Sequence, residues 1–270
     1  MFEPVKEAFN CQSEFFDQYE EQNEILKRMR SVVRMHLLRH LNNGNRILEL
    51  NAGTGLDAVF LAQKGFCVHA IDLSEGMLKK LETKINLYRL SEKLSFELLS
   101  FTELDKLREQ TFNHIFSNFG GLNCAENLNE VTKHFNRILK PGGKITLVIM
   151  PPVSLWEIAL VLKGKFKSAF RRLHKNGTMA NIEGIKFKTY YYNLGKLKQA
   201  LGHNFKLVEV QGLASISPPP YADKFPKHHP KLYKLFCRID DSISHLYPFT
   251  RCADHYIATF KFTPEQLSQK

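Results

Sequence analysis

Four residues in the first third of the chain have types and spacing suited to chemistry: Glu49, Gly53, Gly55 and Asp72. The stretch ILELNAGTG, Ile47–Gly55, begins as a short apolar strand, admits one acid, then breaks into two glycines. Glycine permits positive φ and lets a ligand approach bare backbone amides. Asp72 follows the next apolar run, FCVHAI, and stands 17 residues beyond Gly55. In a parallel sheet that position lies beside the glycine turn, where a carboxylate can accept both hydroxyls of a ribose. The pattern predicts a site for a nucleoside-bearing cofactor beyond the ends of the first two strands. GTGLDA also fits the G-x-G-x-x-A dinucleotide fingerprint, so an NAD-dependent oxidoreductase is a competing reading. Against it stand Glu49 inside the first strand, a helical segment of about forty residues before that strand, and the LKPGG lead-in to the fifth strand.

These residues need a scaffold, and the pattern around them supplies one. Leu26, Met29, Val33, Leu37 and Leu41 recur at helical spacing, so residues 4–42 read as helix, ended by NNGN. RILEL is strand one and Leu56–Lys64 a helix; FCVHAI is strand two, and Ser74 caps a helix to about Arg89. KLSFELL and FNHIFSNF are strands three and four. Leu128, Val131, Phe135 and Ile138 mark one long helix ended by KPGG, and KITLVIM is strand five. Such alternation implies a three-layer α/β fold with a parallel sheet. After Met150 the rhythm changes. SLWEIALVLKGKFKSAFRRLHK is apolar first and basic second; GIKFKTYYYN alternates like a strand; Leu194–Leu201 is a short helix and FKLVEVQGL a strand. SPPPY is a rigid connector, a basic helix spans about His229–Leu246, and HYIATFKF is the last strand.

LELNAGTG, AIDLSEGML and LKPGGKITLV, in this order, resemble class I S-adenosylmethionine-dependent methyltransferases, and within them the small-molecule group that includes quinone-biosynthesis enzymes. The resemblance covers about Ile47–Met150. It implies a Rossmann-like methyltransferase fold, with a mostly parallel seven-stranded sheet whose last strand is antiparallel. It implies S-adenosyl-L-methionine as cofactor, its methionine part held by Glu49 and the backbone of Asn51, Ala52, Gly53, Thr54 and Gly55. Asp72 would bind the ribose, Leu73 and Met77 would flank the adenine, Ser100 and Phe101 would meet its edge, and Asn118 and Phe119 would line the sulfonium end. The chain departs from the family at Asn51, usually Gly, and at Ser100, often an acid. The prolines of SPPPY lie about a hundred residues beyond the [D/N/S]-P-P-[Y/F] position of nucleobase methyltransferases, where this chain has SNFG.

The expected organisation is a single domain over 1–270: a helical cap at 1–44, a cofactor-binding core at 45–150, a lid insertion at 151–180, and C-terminal strands with a basic helix at 181–270. The expected activity is methyl transfer by in-line displacement to a small acceptor of quinone-like, phenolic or lipidic character. Tyr19 and Trp156 are candidates to cover that acceptor. His203, His228, His229, His245 and His255 are candidates for a general base, and only geometry can choose among them.

The net charge of +11 is uneven: the first 150 residues hold 19 of the 38 Lys and Arg and 19 of the 27 Asp and Glu, so the whole excess lies beyond Met150. A basic half attracts anionic partners. Lys163, Lys165, Lys167, Arg171 and Arg172 suit a helix on an anionic membrane surface, giving a peripheral membrane contact. A fold that binds RNA through this half ranks last, since an aromatic–basic RNA motif is missing. The five cysteines are scattered without paired spacing, which reads as reduced thiols in the cytoplasm and no metal site. The first residues carry no secretory signal, and no apolar run is long enough to span a membrane.

Overall fold

The computed structural model describes residues 2–108 and 111–264. Three helices come first, α1 (Glu3–Gln12), α2 (Phe16–Gln22) and α3 (Glu24–His40). The segment read as continuous helix is interrupted at Asn23, whose extended backbone lets its side chain cap α3 by accepting from Ile25 N and Leu26 N. The periodic residues Ile25, Met29, Val33 and Leu37 are buried, and such burial is worth about 1.5–3 kcal/mol per large apolar side chain.

The core then alternates: β1 (Arg46–Leu50), α4 (Leu56–Gln63), β2 (Cys67–Asp72), α5 (Glu75–Tyr88), β3 (Leu94–Leu98), β4 (Phe112–Ser117), two short helices α6 (Leu128–Thr132) and α7 (Phe135–Ile138), and β5 (Leu139–Ile149). The expected long helix before β5 is thus two pieces, and KPGG belongs to the strand rather than to a helix end. Beyond it lie α8 (Leu155–Ile158), α9 (Phe166–Ala169), a hairpin of β6 (Thr178–Ile182) and β7 (Ile185–Thr189), α10 (Leu194–Leu201), β8 (Phe205–Leu213), α11 (Phe225–His228), α12 (Pro230–Ile243) and β9 (His255–Phe262).

Seven strands form one sheet in the order β3-β2-β1-β4-β5-β9-β8. β1 to β5 pair in parallel, and β9 runs antiparallel between β5 and β8. This is the expected mixed sheet with a reversed last strand. The order jumps from β2-β1 to β4, so the crevice above β1 and β4 is the place where such sheets bind ligands. The β6–β7 hairpin is a separate two-stranded sheet, of which the sequence reading found only the second strand.

One expectation about residues 151–180 fails. They do not form a single amphipathic helix: α8 passes into a 3₁₀ turn at Ala159–Lys163, Gly164 takes φ +70°, and α9 leads to a second 3₁₀ turn at Arg171–Leu173. Glycine at positive φ stops helix propagation. Nor does Arg172 point to solvent. It is buried, pairing with Glu157 and Asp254 at 2.7 Å each.

A line of buried polar side chains ties the sheet to α3. His114 Nε2 meets Thr146 Oγ1 at 2.9 Å, Thr146 meets Thr259 at 2.8 Å, and Thr259 meets His36 Nε2 at 2.9 Å. His36 Nδ1 reaches Gln211 Oε1 at 3.1 Å. His36, His40 and Glu209 also come within metal-chelating distance of one another, but Arg39 already holds a Glu209 oxygen at 2.8 Å. A cation on that carboxylate makes the group an ion-pair cluster.

Burial lowers His36 to about 4 and His114 to about 3. In the unfolded chain both titrate near 6.5, so below that pH the unfolded state binds more protons. Their contribution to stability is complete above about pH 6.5 and falls on acidification by ~1.4 kcal/mol per pH unit per histidine. Urea midpoints measured from neutral pH to about pH 5 should therefore drop, with a shallower slope in His114→Gln. A flat profile would show that these imidazoles are not the buried neutral groups described.

Candidate active site

A cavity of about 320 Å³ opens above the carboxyl ends of β1, β2, β4 and β5 and the start of β9. Its floor includes Glu49, Asn51, Ala52 and Gly53 from β1 and its turn, Asp72, Leu73 and Met77 from β2 and α5, and Asn118 and Phe119 after β4. Phe101 closes one side, and Phe2, Phe9, Phe16 and Tyr19 of the N-terminal helices lie over it. The size and the mainly apolar lining with a few converging polar groups suit a small ligand.

Glu49 lines this space from the buried part of β1. Its Oε2 is buried without a hydrogen-bond partner. Burial raises its carboxyl well above the usual range, neighbouring Asp57 adds to the rise, and Arg30 and Arg34 oppose it. A buried acid in this state is a socket for a cation. Asp72 is the opposite case. Its Oδ2 accepts from Gly53 N and its Oδ1 from Ser74 N, each at 2.8 Å, so one carboxylate clamps the β1 and β2 turns together. Burial raises its pKa and the amides oppose the rise. Each oxygen keeps a lone pair for a ligand hydroxyl.

Asn51, where the family usually has Gly, takes φ +46°. Its side chain donates to Asn118 O at 3.1 Å and accepts from Ser117 Oγ at 2.6 Å, stitching the ends of β1 and β4. Gly121 makes room for it: a Cβ there would lie 2.3 Å from the Asn51 amide.

Of the residues named from sequence, Glu49, Asn51, Ala52, Gly53, Asp72, Leu73, Met77, Phe101, Asn118, Phe119 and Tyr19 line the cavity. Thr54, Gly55, Ser100 and Trp156 do not. Thr54 donates to Asp17 Oδ1 at 2.5 Å. Gly55, at φ +78°, begins α4 and packs so tightly on Leu81 that a Cβ would lie 2.2 Å from it. Ser100 bonds Thr102. Trp156 donates its indole N–H to Ile216 O at 2.8 Å and packs edge-on against Phe225. It therefore belongs to the packing of the C-terminal half. Among the histidines, His203, His228, His229 and His245 are exposed, whereas His255 is buried and lines the cavity.

Sequence reasoning missed the cation at the centre. Arg30 of α3 makes a two-pronged pair with Glu20, at 2.7 and 3.1 Å, and a short pair with Asp57 of α4. Its guanidinium lies 4.6 Å from the centre of the Phe119 ring. Arg34 holds the other Asp57 oxygen at 2.7 Å, and Asn118 Nδ2 donates to Asp57 at 2.7 Å. The only sequence signal was an arginine on the otherwise apolar face of an amphipathic helix.

A sheet of this order is that of the Rossmann-like methyltransferase fold. Comparisons agree. Residues 47–143 match the family model described as Methyltransferase domain. A demethylmenaquinone methyltransferase of Leptospira interrogans is 30% identical over 145 residues, covering 52% of this chain and 57% of that protein. The chain thus spans little more than half the length of that relative. Uncharacterized protein MJ1252 of Methanocaldococcus jannaschii is 27% identical over 218 residues, 78% of each chain. Among solved structures, the [4+2]-cyclase SpnF superposes with a TM-score of 0.63 at 12% identity over 96% of each chain. Geranyl diphosphate C-methyltransferase of Streptomyces coelicolor A3(2), in complex with S-adenosyl-L-homocysteine, gives 0.58 at 12% identity, covering 88% of this chain and 81% of that one. Residues 47–143 thus resemble a methyltransferase domain, set in a chain with the Rossmann-like methyltransferase fold.

Removing one member of a buried ion cluster leaves the others unpaired, at a cost of about 3–5 kcal/mol. Arg30→Met should lose stability on that scale in urea unfolding. A loss under about 1 kcal/mol would place Glu20 and Asp57 in water rather than in the core.

Proposed function

We propose that the protein transfers a methyl group from S-adenosyl-L-methionine to a small-molecule acceptor. The observation that carries this reading is the unpartnered, buried Glu49 oxygen facing a cavity that also presents Asp72. These groups fit the cofactor. Glu49 would receive the α-ammonium of the methionine part, Asp72 the ribose hydroxyls, and Leu73, Met77 and Phe101 would enclose the adenine. The bound cofactor supplies a methyl on a positively charged sulfur, already reactive toward nucleophiles. The chain's own contribution is to orient the acceptor in line and to exclude water. Phe2, Phe9, Phe16 and Tyr19, laid across the opening, serve both ends. The likeness to a demethylmenaquinone methyltransferase and the apolar lining favour a quinone-like, phenolic or lipidic acceptor. The coenzyme reading is methyl donor rather than dinucleotide because Glu49 fills the strand position that a pyrophosphate would oppose.

Calorimetry with S-adenosylhomocysteine tests the site. Asp72→Ala should weaken binding at least tenfold, since one lost charged hydrogen-bond partner is worth about 1.5–3 kcal/mol. Unchanged affinity would reject this placement of the ribose. The pH dependence has a definite sign. Glu49 must ionise to hold an ammonium, and burial raises its carboxyl, so affinity should fall on acidification, beginning above the ordinary carboxylate range. Glu49→Gln should bind weakly with that slope removed. Transfer of a tritiated methyl into metabolite and lipid extracts then identifies the acceptor.

We further infer a peripheral contact with an anionic bilayer at residues 158–173. Leu162 is 90% exposed and Phe166 59%, with Phe170 and Leu173 also exposed, and Lys163, Lys165 and Lys167 stand between them. Apolar side chains set among lysines, in the half that holds the whole charge excess, match a surface of acyl chains under phosphate. Co-sedimentation with phosphatidylglycerol vesicles should exceed that with phosphatidylcholine, fall with salt, and be lost in Leu162→Ser/Phe166→Ser. Equal sedimentation of that variant would remove this surface from consideration.

A further inference from the structure

His255 is the first residue of β9 and stands where that reversed strand enters the sheet, at the cavity. Its ring is held on one side only. Nδ1 lies 2.9 Å from Asp254 Oδ2. No hydrogen bond reaches Nε2 among the described residues, and Nε2 is directed at Gly120, where a Cβ would come within 3.2 Å. Gly120, at φ +66°, follows Phe119, whose ring meets the imidazole edge-on at 6.1 Å between centroids. The free nitrogen thus sits beside the β4 turn, the end of the cavity away from Asp72 and next to the segment expected at the sulfonium.

Asp254 is itself fixed. Its Oδ1 accepts from Arg172 at 2.7 Å, and Arg172 also donates to the Asp254 carbonyl at 2.8 Å and to Glu157 at 2.7 Å. Asp254, Arg172 and Glu157 are all buried, and together they carry one net negative charge. Burial opposes ionisation, but the hydrogen bond with His255 and the charge and hydrogen bond of Arg172 hold the Asp254 carboxyl well below the usual range. An ionised carboxylate accepting from Nδ1–H fixes the tautomer with its lone pair on Nε2 and stabilises the imidazolium that proton uptake creates. Across the same cavity stand Glu49, Asp57 and Arg30, the last two already paired.

We propose that His255 is the general base of the transfer and that Asp254, held by Arg172, is its positioning residue. This rests on the methyl-transfer reading and extends it to a hydroxyl-bearing acceptor. Nε2 takes the hydroxyl proton as the acceptor oxygen bonds to the methyl carbon and the carbon–sulfur bond breaks, its electron pair staying on sulfur. The imidazolium then gives the proton to water, which restores the neutral ring. The residues are joined from three places in the chain, lid, strand start and β4 turn, which is why spacing alone could not pick His255 from five histidines.

Two measurements test this, and the first needs no acceptor. Nitrogen-15 spectra of histidine-labelled protein with S-adenosylhomocysteine, recorded at alkaline pH, should show the His255 proton on Nδ1, and its Nε2 resonance should move when the ligand binds. In Asp254→Asn the other tautomer should appear. A wild-type ring protonated on Nε2, or one insensitive to the ligand, overturns the proposal. The second is tritium transfer to a catechol and to a prenylated naphthohydroquinone. His255→Gln should lower kcat about 100-fold or more, the usual range for a general base, with S-adenosylhomocysteine affinity kept within about twofold. Retention of more than half the rate overturns it. A wild type that binds S-adenosylhomocysteine yet labels neither these probes nor any extract would reject the methyl-transfer reading, while the spectra still decide the state of His255.

Discussion

The structure depends on one charge placed where charge is costly. Glu20 and Asp57, with Glu49 beside them, gather beneath the N-terminal helices out of water, and an ionised carboxylate there requires a cation. Arg30 meets that need from α3, with Arg34 beside it. Because the acids sit on α2, β1 and α4, satisfying them binds the helical cap to the crevice. The same guanidinium lies over Phe119, and Asp57 takes a hydrogen bond from Asn118, so the β4 turn is fixed by the same cluster. Glu20 and Asp57 use up the positive charge of Arg30, and Glu49 keeps an oxygen unmatched. One carboxyl oxygen is thus what remains unmatched when the charges of the N-terminal helices have been balanced.

A second cluster performs the corresponding task at the other end. Glu157, Arg172 and Asp254 tie residues 151–180 to the start of β9. The basic character of the C-terminal half therefore divides in two. Arg172 turns inward to Glu157 and Asp254 and Arg171 pairs with Glu157 from the surface, whereas Lys163, Lys165 and Lys167 are exposed. Counting charge along the chain could not separate these fates, because burial of an arginine is decided by acids contributed from distant segments. A buried Arg with a planar, multi-pronged donor set can satisfy two carboxylates at once, which Lys cannot.

How much was legible follows from the range of the interactions. The strands β1 to β5, the capping of α5 by Ser74, and α10, β8 and β9 were readable because apolar period and cap chemistry are local. So was most of the cavity floor, since Glu49, Asp72 and the glycine turn lie at strand ends whose neighbours the parallel order dictates. The break at Asn23 was hidden because a capping Asn within a polar run looks like a helical residue. The β6 strand, TMANI, has too weak an alternation to declare itself, and it pairs only with its hairpin partner. Trp156 misled for a related reason: a lone tryptophan suggests a ligand surface, but its N–H had a backbone acceptor, Ile216 O, that no local pattern announces.

The two clusters also explain why the sheet needs its reversed strand. With β9 running against β5, its first residue lies at the ligand-binding edge, level with the end of β5, where Ile149 pairs with Tyr256. A parallel strand in that place would present its last residue, after a full traverse of the core, and would bring the preceding loop to the opposite edge. Reversal instead delivers Asp254 and His255 directly from the loop that meets residues 151–180. The end of the cavity at Glu49 and Asp72 is then built from residues 49–77, continuous in the chain and paired by backbone. The far end is assembled from the β4 turn and the start of β9, which Arg172 holds by side-chain charge. The first kind of construction tolerates change poorly, since its geometry is that of the sheet itself. The second can be altered by exchanging a loop, and binding specificity in such folds is commonly varied in loops.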